Sequence, residues 1–250
     1  MQISSINPNL TSEDMKLYEK QGYYIYRNFI PKNICKKIKD HAENNYAEKP
    51  NFPITLNIHR KDKIFYKVIS DKNIVKLMKF FQKDEIDALT DQMIYKKRNS
   101  KYVNQAWTLH QDNSYPKADH GAYTILHLFL DDSTPSNGGL TFYEGSHVEP
   151  ILDYKNRVSH KEKKQQSGKT RPGQTIVPSE AKRIRKIYKK IEINEESGTL
   201  CVMHGHLVHE SKPNTSKTKD RATYSMAYLN RSSEILNEGK VSKKIRIKLY

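Results

Sequence analysis

Cysteine is nearly absent: Cys35 and Cys201 are the only two in 250 residues. Two such residues cannot build a disulfide framework or a Cys-rich zinc site, and a reducing cytoplasm is the expected setting. Long apolar runs are missing as well. No stretch approaches the ~18 consecutive apolar residues of a membrane helix, so no such span is expected. The opening MQISSINPNLTSEDMK has no basic start followed by an apolar stretch, and no secretory signal is expected from it. Acidic residues are few, 28 against 44 Lys and Arg, for a net charge of +16. What is plentiful is aromatic: 16 Tyr and 7 Phe argue against disorder. A chain of this size buries about 73% of its extended surface on folding, enough for a core without covalent staples.

The positive charge is unevenly spread. Residues 155–190 hold thirteen Lys and Arg against Glu162 and Glu180, and residues 240–250 hold five with no acid. The remainder is neutral overall, so the excess belongs to one internal segment and one tail. A solvated Lys-rich loop accounts for it; so does a basic rim that attracts an anionic substrate.

Spacing predicts helices over residues 12–20, from Pro31 to about Tyr46, and over residues 71–82, each opened by a capping or proline signal. Gly22 ends the first. A period of two predicts strands at Tyr23–Phe29, Asp91–Lys96, Tyr102–His110, Tyr123–Leu130 and Leu140–Tyr143. The series continues through Lys189–Ile193, Thr199–Met203, a segment around Val208, and Ala222–Leu229. Asn137-Gly138-Gly139, Glu144-Gly145-Ser146 and Glu196-Ser197-Gly198 supply turns. Helices followed by many short strands predict a mainly β fold with supporting helices, a jelly roll or barrel. The chain reads as one domain over residues 1–250. It carries a lid-like basic insertion at about 152–188, with a short helix at 179–189, and a basic tail at about 240–250.

His110-Gln111-Asp112 is weak by itself, since about one such pair arises by chance in every two chains of this composition. Position strengthens it. The segment ends a predicted strand, so His110 and Asp112 lie two apart on one face. A further histidine from a facing strand would complete a two-His-one-carboxylate triad, which leaves open positions and suits non-haem Fe(II). Candidates are His204, His206 and His209; Gly205 breaks the alternation, so spacing does not choose among them. Arg221 opens the last core strand, where a buried guanidinium requires an anion such as one end of a dicarboxylate.

These segments together resemble the phytanoyl-CoA dioxygenase family of Fe(II)/2-oxoglutarate-dependent oxygenases. The resemblance rests on His110-Gln111-Asp112-Asn113-Ser114-Tyr115, Asn137-Gly138-Gly139-Leu140 and Gly145-Ser146-His147. It continues in Gly198-Thr199-Leu200, His204-Gly205-His206-Leu207-Val208-His209-Glu210-Ser211, Pro213-Asn214 and Arg221. Gly22-Tyr23-Tyr24-Ile25 and Asn28-Phe29-Ile30-Pro31 match the family's opening, and Glu144 departs from a proline common there. The resemblance implies a double-stranded β-helix core (jelly-roll, cupin-like) with His110, Asp112 and His209 as iron ligands. It gives Arg221 to the distal carboxylate of 2-oxoglutarate with Ser211 assisting, Gln92 and His127 to the cosubstrate pocket, and Asn113 and Tyr115 to the substrate side. The cofactors implied are Fe(II), 2-oxoglutarate and O2, and the implied reaction is hydroxylation of a small, anionic organic molecule with release of succinate and CO2. Halogenating relatives lack the carboxylate that Asp112 supplies; ring closure, desaturation and epimerisation draw on the same chemistry.

Two other classes compete. A basic protein that binds nucleic acid or an acidic partner on an oxygenase-like shell explains the charge, but has no use for His110, Asp112, His209 and Arg221 together. An oxygenase acting on a macromolecule shares the iron site and needs an open cleft. A cupin-type isomerase leaves Arg221 without a role.

Overall fold

Side chains alternate along the long strands and sort into separate cores. The computed structural model describes residues 2–4, 6–46, 54–98, 106–156, 174–235 and 246–250. The first sheet runs β1 (Tyr23–Tyr26), β10 (Leu200–His204), β5 (Tyr123–Phe129), β12 (Ala222–Asn230), β3 (Ile86–Tyr95) and β13 (Ile247–Lys248), with β2 (Ile54–Leu56) also on β3. The second runs β4 (Trp107–His110), β11 (His209–Ser211), β6 (Leu140–Glu144) and β9 (Lys189–Glu192). All these pairings are antiparallel. A separate hairpin joins β7 (Tyr154–Asn156) to β8 (Gln174–Ile176).

Parity along β12 shows the layering. Tyr224, Met226 and Tyr228 pack with Leu126, Leu128, Leu200 and Val202 against the helices. Ala227 and Leu229 turn the other way, joining Ile125, Phe129, Cys201 and Met203 with Leu140 and Phe142 of the second sheet. This inner layer, with two facing antiparallel sheets and helices on the outside of one, is the expected jelly roll.

Helix α1 (Ser12–Gln21) starts at Thr11, whose hydroxyl accepts from the Asp14 N–H while the Asp14 carboxylate accepts from the Thr11 N–H. Helix α2 (Lys32–Tyr46) buries Cys35, Ile38 and Ala42 on one face. Asp62 caps α3 (Lys63–Ile69) and Asp71 caps α4 (Lys72–Gln82). Gly198 sits at φ 90°, and a Cβ there would lie 2.2 Å from the Ile30 carbonyl oxygen, which fixes the approach of β10 to the helical layer. Gly198→Ala should cost at least ~2 kcal/mol of stability, read from the urea midpoint; an unchanged midpoint would refute this packing.

Several sequence expectations need correction. β1 stops at Tyr26 instead of Phe29, because Asn28 takes φ 55° and turns the chain. Helix α3 and strands β2 and β13 were not anticipated, and β3 starts at Ile86 instead of Asp91. The helix of the basic insertion, α5 (Pro178–Ile187), ends before Lys189 because that residue opens β9. Ala181 and Ile184 of α5 pack with Leu109, Tyr143, Leu152, Ile176 and Val208, on the outer face of the second sheet. This helix therefore does not cover the space between the sheets. The tail is not a free extension at its end either: β13 pairs with β3, and Arg231 donates to the buried Leu249 carbonyl at 2.8 Å. The start of the expected strand at Tyr102, the insertion's residues 157–173 and the tail's 240–245 lie outside the described residues.

Candidate active site

Strand pairing creates the centre. β11 lies antiparallel to β4 with His209 directly opposite His110, and the two rings are 4.2 Å apart between centroids. Leu109 and Val208, their chain neighbours, face the outer cluster, so both histidines face inward by alternation. Asp112 follows on a short turn over Asp112–Ser114. Its carboxylate oxygens lie 3.5 Å from His110 Nε2 and 3.6 Å from His209 Nε2. One ligand atom from each of the three residues falls within 4.8 Å of the others. His110 Nδ1 donates to the Thr108 carbonyl at 2.7 Å and His209 Nδ1 to the Leu207 carbonyl at 2.9 Å. Both Nε2 lone pairs are thereby left for a metal, the orientation that backbone acceptors impose in metal sites.

Electrostatics suit the same role. Burial, then the neighbouring His110, push His209 down to about 4, so it stands neutral and ready to ligate. Burial opposes the Asp112 charge, but His209 and His110 hold the carboxyl well below its ordinary range.

Gln111, between the two ligands, points the other way. Its amide donates to the carbonyls of Pro150 (3.0 Å) and His206 (2.9 Å) and accepts from the Leu152 N–H (2.8 Å). His204 and His206 are occupied away from the triad. His206 donates from Nδ1 to the Glu149 carbonyl (2.9 Å) and meets the Asn113 amide at Nε2 (2.7 Å), while its own N–H goes to His204 Nδ1 (3.0 Å). They form a group with His120 and His147 that the sequence did not reveal.

Beyond the triad lies a wall of buried polar groups. Ser225 of β12 is opposite Gln92 on β3 and His127 on β5, so these three share one inward-facing row. Burial pushes His127 down to about 3, which keeps it neutral, and neither ring nitrogen has a partner among the described residues. On the same face of β12, Arg221 is only 2% exposed and enters no ion pair among the described residues. Its Nε and the Thr223 hydroxyl have no partner either. Burial lowers the Arg221 guanidinium to about 10. Orphaned donors around a buried cation are what a pocket for an anionic ligand looks like before the ligand is counted. Ser211 joins this wall, its oxygen accepting from Lys96 Nζ at 2.9 Å.

The two residues expected on the substrate side part company. Asn113 is fully buried: its amide donates to the Ala118 carbonyl (2.8 Å), its oxygen accepts from the Ala118 N–H (2.9 Å), and His206 takes the remaining contact. The side-chain amide is thus engaged by the turn and by His206. Tyr115 is 39% exposed and accepts from the Gln174 N–H at 2.8 Å, tying β8 to the turn that carries Asp112.

A jelly roll with two imidazoles and one carboxylate converging on its inner face defines a non-haem metal site with room for further ligands. Comparison with known proteins agrees: the chain matches the Phytanoyl-CoA dioxygenase (PhyH) family over residues 18–223 and belongs to it. A curated phytanoyl-CoA dioxygenase from Arabidopsis thaliana is 34% identical over 117 residues, 47% of this chain and 36% of that protein, so the match spans about a third of the relative's length. Solved structures share the fold at low identity. The α-ketoglutarate-dependent carbocyclase SnoK of nogalamycin biosynthesis superposes with a TM-score of 0.76 at 13% identity, covering 97% of each chain. The epimerase SnoN, solved with Fe3+, α-ketoglutarate and nogalamycin RO, gives 0.72 at 13% identity over 95% of this chain and 94% of its own. EctD from S. alaskensis, with 2-oxoglutarate and 5-hydroxyectoine, gives 0.70 at 14% identity over 93% of this chain and 82% of its own. The family is named for its dioxygenases, and the three converging side chains could hold a metal ion. No helix among the described residues is long and apolar enough to cross a membrane.

Proposed function

We propose that the chain is one Fe(II)/2-oxoglutarate-dependent oxygenase domain that hydroxylates a small, anionic organic molecule, with release of succinate and CO2, in the reducing cytoplasm. The observation that carries this reading is the convergence, in the space between the sheets, of a three-ligand centre on the second sheet and a buried guanidinium without an anion at the start of β12 on the first. His110, Asp112 and His209 hold the iron, which when bound couples O2 activation to decarboxylation of the 2-oxo acid. Arg221 pairs with the distal carboxylate and Ser211 donates to it. His127, neutral and uncommitted, offers a hydrogen bond beside the cosubstrate without adding charge, and Gln92 lines the same row. Tyr115 borders the mouth. Both cysteines are buried and unpaired, which accords with a reducing compartment.

The choice of a small molecule over nucleic acid is supported by the pairing of the insertion's two described arginines. Arg183 pairs with Glu149 and Glu180, and Arg185 with Glu210, so these charges stabilise α5 on the sheet. Lys182 and Lys186 are exposed on that outer helix. Neutralising them should leave turnover unchanged. Neutralising Lys161, Lys163 and Lys164 should lower kcat/KM for an anionic substrate and flatten its salt dependence, with 2-oxoglutarate affinity intact. If that triple variant matches the parent, the anionic assignment is dropped. The substrate itself is found by screening metabolites for stimulated succinate formation. Mass spectrometry with labelled O2 then separates hydroxylation, which adds an oxygen atom, from ring closure or epimerisation, which does not.

A further inference from the structure

Lys96 follows β3 directly and is wholly buried, 0% exposed. Its Nζ donates to the Gly138 carbonyl (3.0 Å), the Lys212 carbonyl and the Ser211 hydroxyl oxygen (2.9 Å). Three acceptors match the three protons of an ammonium. No carboxylate pairs with it among the described residues. The charge it feels is another cation, Arg221, and burial together with that neighbour pushes the lysine down to about 6. The other groups nearby compensate little beyond one cation–π contact. The Trp107 ring lies 5.2 Å from Nζ, His127 beside Arg221 is neutral, and the ammonium of Lys212 turns to Glu192 at 3.7 Å. The amine is therefore largely uncharged at neutral pH until an anion arrives, and a carboxylate paired with Arg221 offsets the cost of charging it. Ser211 receives a hydrogen bond from Lys96 and donates to no described group, so its own hydrogen is available to the space beside Arg221.

Resting on the 2-oxoglutarate reading above, we infer that Lys96 is a positioning residue of the cosubstrate site. It holds the Ser211 hydroxyl so that its hydrogen goes to the carboxylate paired with Arg221, and it adds the second positive charge that favours a dicarboxylate over a monocarboxylate. The glycine at 138 belongs to this arrangement. A Cβ there would lie 2.7 Å from Lys96 Cδ, so the lysine passes over a backbone without a side chain.

The test is an anaerobic titration of 2-oxoglutarate, and of pyruvate as the monocarboxylate, into the Fe(II)-loaded parent, Lys96→Met, Ser211→Ala and the double variant. Each single change should weaken 2-oxoglutarate binding about tenfold or more, the scale of a hydrogen bond to a charged group, and narrow its margin over pyruvate. The double variant should bind no worse than the weaker single, because the two residues act in series. Iron affinity should stay at the parent value, and the metal-free Lys96→Met protein should unfold no earlier than the parent, since the cost of burying an amine beside Arg221 has been removed. Parent-like 2-oxoglutarate binding by Lys96→Met, or additive losses, would overturn the proposal alone. So would a destabilised or unfolded Lys96→Met, which would mean that the lysine only ties Gly138 to Lys212. A parent protein that binds no 2-oxoglutarate would overturn the function reading and this proposal with it.

Discussion

Asp112→Ala should remove substrate-stimulated 2-oxoglutarate decarboxylation to below detection, with the fold retained. In the proposed centre the carboxylate would be the one anionic ligand, and its oxygens sit 3.5 and 3.6 Å from the two imidazole Nε2 atoms. Its loss leaves His110 and His209 as an incomplete set, with nothing to draw the metal into the turn. His110→Ala and His209→Ala should behave alike, each binding iron more weakly than the parent in an equilibrium titration. His206→Ala is the informative contrast. Its ring holds Asn113 and the Glu149 carbonyl, so its loss should lower stability while iron remains bound. Should His209→Ala keep the iron and His206→Ala lose it, the ligand assignment is wrong.

Arg221→Ala should raise the KM for 2-oxoglutarate far more than the KM for the organic substrate. Truncating one partner of a buried, hydrogen-bonded charge pair costs about 2–5 kcal/mol, or at least about thirtyfold in affinity. Its guanidinium is the cation on the inner face of β12, near His127 and Lys96. The variant should still bind iron, because Arg221 touches none of the triad. Steady-state kinetics with each substrate varied in turn separates the two KM values. An unchanged 2-oxoglutarate KM would pass the role to another base, with Lys96 first in line.

The inner face was legible wherever alternation is regular. His110 ends a strand with period two and Arg221 precedes another, so both stood out from the residues alone, whereas Asp112 lies on the turn after β4 and not on the strand. The third histidine was not legible from spacing, and the structure gives the reason. Gly205 squeezes past β5, where a Cβ would lie 2.5 Å from the Tyr123 carbonyl oxygen, and the turn that follows resets the phase before His209. Family resemblance, not periodicity, made that choice. Lys96 stayed in the background because one lysine in a Lys-rich chain carries no signal. Its burial arises from carbonyls at 138 and 212, remote in sequence. Asn113 was given to the substrate side by the resemblance alone, and no local signal showed that the buried Ala118 backbone and His206 would engage it. The placing of the insertion's helix was hidden for a related reason. The apolar face of α5 was visible in Ala181 and Ile184, but nothing local said which side of the sheet it would cover.

The central claim is that the space between the two sheets binds Fe(II) and 2-oxoglutarate together. Its most direct test is anaerobic titration of the metal-free protein with Fe(II) and then 2-oxoglutarate, followed by admission of O2 and assay of succinate across a metabolite panel. The account predicts one Fe(II) per chain, 2-oxoglutarate binding that depends on the iron, and succinate formation that rises with a particular small molecule. Absence of iron-dependent 2-oxoglutarate binding, accompanied by salt-sensitive affinity for nucleic acid, would contradict it and favour the binding protein.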